Sequence, residues 1–167
     1  MASSNSSSGS VEFQIGALMR SRGLKLVTAE SCTGGMIASR ITDIPGSSDY
    51  FLGGVVAYAY EAKVGLLNVS WDTIKLYGAV SRETVIEMAR GVRVAFSADL
   101  AISVSGIAGP GGGSPDKPVG TTWFGLVSQQ GEWAYLHHFK GNRIQNKSFA
   151  ADTALTIVND YLKSGET

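Results

Sequence analysis

The chain has 167 residues, 44% of them hydrophobic and 17% charged, which suits one domain with an ordinary buried core. With 14 basic and 14 acidic side chains and no run of Lys or Arg, nothing in the charge pattern invites a nucleic acid. A single cysteine, Cys32, excludes an internal disulfide and fits a reducing compartment, and no apolar run has the length of a membrane span.

Residues 1–10 contain neither an apolar core segment nor an arginine. They read as a disordered tail rather than a secretory or mitochondrial leader, so a cytoplasmic protein is expected, with residues 11–163 as its single domain. Val11, Ile15, Leu18 and Met19 recur at helical spacing from Val11 to Arg22, and Gly23 stops that helix. A short strand is predicted over Leu24–Ala29 and a helix over Thr33–Thr42, followed by a turn at Pro45-Gly-Ser-Ser48. Tyr50–Tyr60, rich in Val, Phe and Tyr, reads as a strand that Gly53-Gly54 weakens or bulges. Short helices over Ala62–Leu67 and Trp71–Tyr77 precede a strongly amphipathic one from Ser81 to Phe96.

Leu100–Ser105 is apolar nearly throughout and reads as a buried strand running into the glycine-dense loop Gly106–Ser114. Val119–Ser128 and Glu132–Lys140 bracket Gln129-Gln-Gly131 as a hairpin, and a last helix runs from about Arg143 to Leu162. Helices and strands alternate first and a hairpin follows, without repeat or linker. That order predicts an α/β fold, a three-layer α/β/α sandwich over a mixed sheet.

The stretch Thr28-Ala-Glu-Ser-Cys-Thr-Gly-Gly35 lies where a strand hands over to a helix. That turn puts Ser31 at the carboxyl edge of a sheet beside the positive end of a helix, where amides suit a phosphate or a developing oxyanion. The plainer reading is that Ser31 and Thr33 cap the helix while the glycines let it pack closely.

Seven motifs then occur in order: Ala29-Glu-Ser-Cys-Thr-Gly-Gly35, Pro45-Gly-Ser-Ser48, Tyr58 to Lys63, Gly78-Ala-Val-Ser81, Ser105-Gly-Ile-Ala-Gly-Pro110, Lys117-Pro-Val-Gly120 and Gly141-Asn-Arg143. Together they resemble the CinA carboxy-terminal domain family, the nicotinamide mononucleotide deamidases, from about Val11 to Leu162. The resemblance implies hydrolysis of the carboxamide of nicotinamide mononucleotide to nicotinate mononucleotide and ammonia, in pyridine nucleotide salvage. It implies a serine and a lysine as the chemistry, with no metal and no cofactor. The chain departs from the family pattern at Tyr60, where asparagine is expected, at Ser105 for threonine and at Lys147 for arginine. The Lys147 change keeps charge but loses two-pronged phosphate geometry.

Amide hydrolysis needs a nucleophile, a base, oxyanion donors and an acid for the leaving ammonia. His137 and His138 are adjacent in a strand and point to opposite faces, so they do not act as a pair. No His/Cys/Asp cluster has metal-ligand spacing. A lysine freed of its proton by burial or neighbouring charge remains, and Lys63 is the best candidate. If the segment from Ser31 to Lys63 is a βαβ crossover, both residues meet at one carboxyl edge. Ser48, the rival nucleophile, precedes the strand that Lys63 follows, and at about 3.3 Å per residue a straight strand holds them some 25 Å apart. Ser31 is therefore the expected nucleophile, and Ser48 a phosphate contact or a residue supplied by a second subunit.

Ser105, at the end of a buried strand, offers a hydroxyl beside the Gly106 amides for an oxyanion or a ribose phosphate. Tyr58 suits stacking on the pyridine or sharing a proton, and Arg143 a monophosphate. Ser31, Lys63, Tyr58 and Ser105 are thus the expected catalytic set. Glu30, Thr33, Gly34, Ser48, Gly106 and Arg143 are the expected substrate-binding set. Cys32 is read as a small buried apolar group. A homodimer or higher homo-oligomer is expected, with a small nucleotide as substrate and neither nucleic acid nor membrane as partner. The alternative is a nucleotide-binding or regulatory module of the same fold that turns nothing over.

Overall fold

The computed structural model describes residues 9–165. Its elements run α1 (Val11–Arg22), β1 (Leu26–Glu30), α2 (Met36–Thr42), a 3-10 turn (Ser47–Asp49), β2 (Phe51–Val56), α3 (Tyr60–Leu67) and α4 (Trp71–Tyr77). There follow α5 (Arg82–Phe96), β3 (Leu100–Gly106), β4 (Thr121–Val127), β5 (Glu132–His138) and α6 (Arg143–Ser164). Of the expected tail, residues 1–8 lie outside the described residues. Ser10 belongs to the fold, because its hydroxyl accepts the Phe13 N–H at 3.3 Å and caps α1.

Strand alternation sorts the apolar residues into two cores. Leu26, Leu100, Ile102, Val104, Phe124 and Leu126 face α1, α2 and α6. Val27, Ala29, Ala101 and Val127 face α3, α4 and α5. Period two along the strands and 3.6 along the helices make this division, and it yields the expected three layers. Arg40 on α2 fastens one outer layer, donating through Nε to Glu12 of α1 at 2.7 Å and through Nη1 to Asp152 of α6 at 2.5 Å.

The sheet is mixed, in the order β2-β1-β3-β4-β5. β1 pairs in parallel with both β2 and β3, while β4 and β5 are antiparallel. The link from β1 to β2 runs through α2 on one face, and the link from β2 to β3 runs through α3–α5 on the other. At the carboxyl ends of β1 and β2 the chain therefore leaves toward opposite faces, which opens a crevice between them.

Two of the boundaries that differ from expectation shape that crevice. The expected strand Tyr50–Tyr60 stops at Val56, and Tyr60 opens α3. The expected helix Thr33–Thr42 starts only at Met36, because Gly34 and Gly35 take φ of +64° and +98° and hold residues 31–35 as a tight turn. Among the described residues no helix is long and apolar enough to cross a membrane.

Candidate active site

Ser31 follows β1 directly, and its N–H still bonds to the Val104 carbonyl of β3 at 3.0 Å. On the other side Ala57 donates its N–H to the Glu30 carbonyl at 2.8 Å, so Ala57 stands beside the end of β1. Three residues later α3 begins, and its first turn carries Lys63 over the ends of both strands.

The result is a contact between two buried side chains. Lys63 is 1% exposed and Ser31 7%, and the Lys63 Nζ lies 2.9 Å from the Ser31 Oγ. Nζ also donates to the Ala57 carbonyl at 2.8 Å and to the Tyr58 carbonyl at 3.3 Å. These two carbonyls occupy two N–H groups and leave the third tetrahedral position facing the serine. As an ammonium Lys63 donates there; as a neutral amine it presents its lone pair. Burial pushes Lys63 down from 10.5 to about 8, and only the nearby Cys32 pulls the other way. The ammonium still predominates near physiological pH, but a minor neutral fraction of roughly a fifth is present there and grows through pH 8, and that form can take a proton from a serine hydroxyl.

Six of the ten expected site residues line one cavity of about 260 Å³ at this edge: Ser31, Lys63, Tyr58, Ser105, Gly106 and Arg143. Arg143, at the start of α6, closes one side. Its Nη1 donates to the Gly109 carbonyl at 2.7 Å and its Nη2 to the Tyr58 hydroxyl at 2.7 Å. Ser105 is part of the wall, but its one hydroxyl proton goes to the Ala79 carbonyl at 2.7 Å. Through that bond it pins the turn between α4 and α5 to the cavity, so its hydroxyl is engaged with the fold.

Four expected residues stand elsewhere. Glu30 is buried and spends its carboxylate on α2: Oε2 accepts from the Thr33 hydroxyl at 2.6 Å and from the N–H groups of Gly35 and Ile37 at 3.0 and 3.1 Å. Oε1 accepts from the Ala38 N–H at 2.8 Å. The amides expected to meet a substrate phosphate are therefore capped from inside the protein, and Glu30 and Thr33 brace the turn that carries Ser31. Gly34 does not line the cavity either; a Cβ built there would stand 3.7 Å from the Lys147 amine. Ser48 lies exposed in the 3-10 turn at the amino end of β2, the edge of the sheet away from Lys63, so no contact forms within one chain.

Other contacts carry little sequence signal. Buried Asn146 donates to the Ala108 carbonyl at 3.1 Å and accepts from the Gly141 N–H at 2.9 Å, seating the glycine loop on α6. Lys117 reaches the Tyr77 carbonyl at 2.6 Å and ties that loop to α4. Cys32 and Tyr60 also line the cavity. Burial raises the Cys32 thiol to about 11, which keeps it protonated and a poor nucleophile, in line with its expected apolar role. His137 lines a separate groove of about 530 Å³ between β5 and α6, and His138 meets the Thr121 hydroxyl, so neither joins the Ser31 cavity. Among the described residues no group of three or more His, Cys, Asp or Glu lies close enough to hold a metal.

A mixed-sheet α/β/α sandwich with a buried serine–lysine pair at a strand-end crevice is the class that fold and site define. The CinA C-terminal domain family model matches residues 9–162, and the chain belongs to that family. A CinA-like protein of Geobacter metallireducens is 48% identical over 154 residues, covering 92% of this chain and 37% of its own length. One from Syntrophomonas wolfei is 46% identical over 151 residues, covering 90% and 36%. The chain thus spans little more than a third of the length of these curated relatives. Among solved structures, a CinA superfamily protein of Klebsiella pneumoniae superposes with a TM-score of 0.89 at 32% identity, covering 92% of this chain and 96% of that one. The competence/damage inducible protein CihA of Agrobacterium tumefaciens superposes with a TM-score of 0.85 at 36% identity, covering 92% and 95%.

Proposed function

We propose that the chain is an amidohydrolase that deamidates nicotinamide mononucleotide, with Ser31 as nucleophile and Lys63 as its base. The observation that carries this reading is the 2.9 Å contact between Lys63 Nζ and Ser31 Oγ, in a setting that lowers the amine to about 8. Neutral Lys63 takes the Ser31 proton as Oγ attacks the carboxamide carbon, and the carbonyl oxygen becomes an oxyanion. The Ser31 N–H is committed to Val104, so the oxyanion falls to the next amide in the chain, that of Cys32. Lys63, now an ammonium, returns the proton to the departing nitrogen; ammonia leaves and an ester to Ser31 remains. Water, deprotonated by the same amine, cleaves that ester, restores the hydroxyl and releases the carboxylic acid. Arg143, a planar cation at the cavity wall, suits the phosphate of the substrate, exchanging two neutral acceptors for anionic oxygens.

The test is ammonia release from nicotinamide mononucleotide by the purified chain and by the Ser31→Ala and Lys63→Ala variants. Turnover by the parent and a loss of about a thousandfold or more in each variant are expected. Saturable nucleotide binding by the parent without ammonia release would replace this reading with that of a binding module.

A further inference from the structure

The main chain between Val56 and α3 places two phenol rings at the mouth of the cavity. Ala59 is extended, with φ −81° and ψ 161°, so the side chains on either side of it, Tyr58 and Tyr60, project the same way. Both line the cavity that holds Ser31 and Lys63, and both stay open to solvent, at 59% and 52% exposure.

Their situations differ in one respect. The Tyr58 hydroxyl is held by Arg143 at 2.7 Å, whereas the Tyr60 hydroxyl has no hydrogen-bond partner among the described residues. Nor does the Tyr60 ring belong to either apolar core. The fold therefore does not need this side chain, and half its surface stays wet at some cost in free energy. Position supplies a reason. Tyr60 is the first residue of α3 and Lys63 stands three residues on, a spacing that makes helical side chains neighbours. The two residues thus leave the helix about one turn apart and line the same cavity.

We propose that Tyr60 is a specificity-determining residue: with Tyr58 it forms an aromatic wall that receives the planar ring of a heteroaromatic amide and aims its carboxamide at Ser31. This rests on the amidohydrolase reading and adds the requirement for a ring. Stacking on a phenol face is indifferent to the hydroxyl, so the ring alone should suffice. Binding lost here is shared by ground and transition states, so it appears in KM.

The experiment is steady-state ammonia release from nicotinamide mononucleotide by the parent, Tyr60→Phe, Tyr60→Leu and Tyr60→Asn. Tyr60→Phe should keep the parental KM, while Tyr60→Leu and Tyr60→Asn should raise it about tenfold with kcat within twofold, the usual worth of one stacked ring. An unchanged KM in the Leu and Asn variants overturns the proposal, and so does a fall in kcat without a rise in KM. A raised KM in Tyr60→Phe overturns it too, by moving the effect to the hydroxyl. Absence of turnover in the parent overturns the amidohydrolase reading and this inference with it.

Discussion

Lys63 gives up its water on folding and receives in return two carbonyls and a hydroxyl, none of them charged. That exchange favours the neutral amine, and its consequences run with pH in a definite direction. The unfolded chain holds the Lys63 proton up to about 10.5 and the folded chain up to about 8. Between these values the unfolded state binds more protons, so this group makes stability rise with pH across that window. Urea midpoints measured at pH 7, 8, 9 and 10 should climb for the parent relative to Lys63→Met, and the difference should be flat below pH 8. The same ionisation places an ascending limb near pH 8 in kcat/KM for the proposed reaction. A parent whose stability tracks that of Lys63→Met throughout would mean that the lysine is not desolvated. Tyr58 and Arg143 are a further residue-scale case: each was expected at the site and each lines the cavity, but their mutual hydrogen bond joins positions 58 and 143 and belongs to the fold.

Helix α3 carries Lys63, and its placement depends on a close approach to α5. A Cβ at Gly91 would stand 1.8 Å from the Leu67 carbonyl oxygen, closer than any real contact. Gly91→Ala must push the two helices apart, at a cost of about 1–3 kcal/mol as overpacking. Thermal unfolding should show the loss, and because Leu67 lies one turn beyond Lys63, kcat should fall as well. Unchanged stability would mean that α3 packs differently. Sequence alone made Gly91 one more residue on an amphipathic helix. At α2 the signal was present but assigned to the wrong partner: an acid beside a serine at a strand–helix turn was read as a ligand contact. A carboxylate already inside the protein is the nearest acceptor for amides that would otherwise be buried unpaired, and Glu30 takes that place.

Across the whole molecule, the parallel trio β2-β1-β3 gathers residues from positions 31, 63 and 105 at one edge of the sheet and leaves Ser48 at the other. β2 has six residues, so about 20 Å of strand separates the two edges. Ser48→Ala should keep kcat/KM for the proposed reaction within about twofold, by the ordinary behaviour of exposed sites. A loss beyond tenfold would mean that a second subunit carries Ser48 into the cavity, and that one chain does not complete the site.

Local periodicity was sufficient for the layers, for most elements and for the Ser31–Lys63 pair, because side-chain alternation and a βαβ crossover leave few ways to bury these apolar faces. Residue types within a single turn also marked Ser31 as a cavity residue. Which groups would be used up by the fold was a different matter. Glu30 on α2, Ser105 on Ala79 and Arg143 on Gly109 and Tyr58 are pairings in space, and only packing decides which polar atom meets which. The basicity of Lys63 falls in that second group, since it depends on how completely the surrounding chain excludes water from one amine.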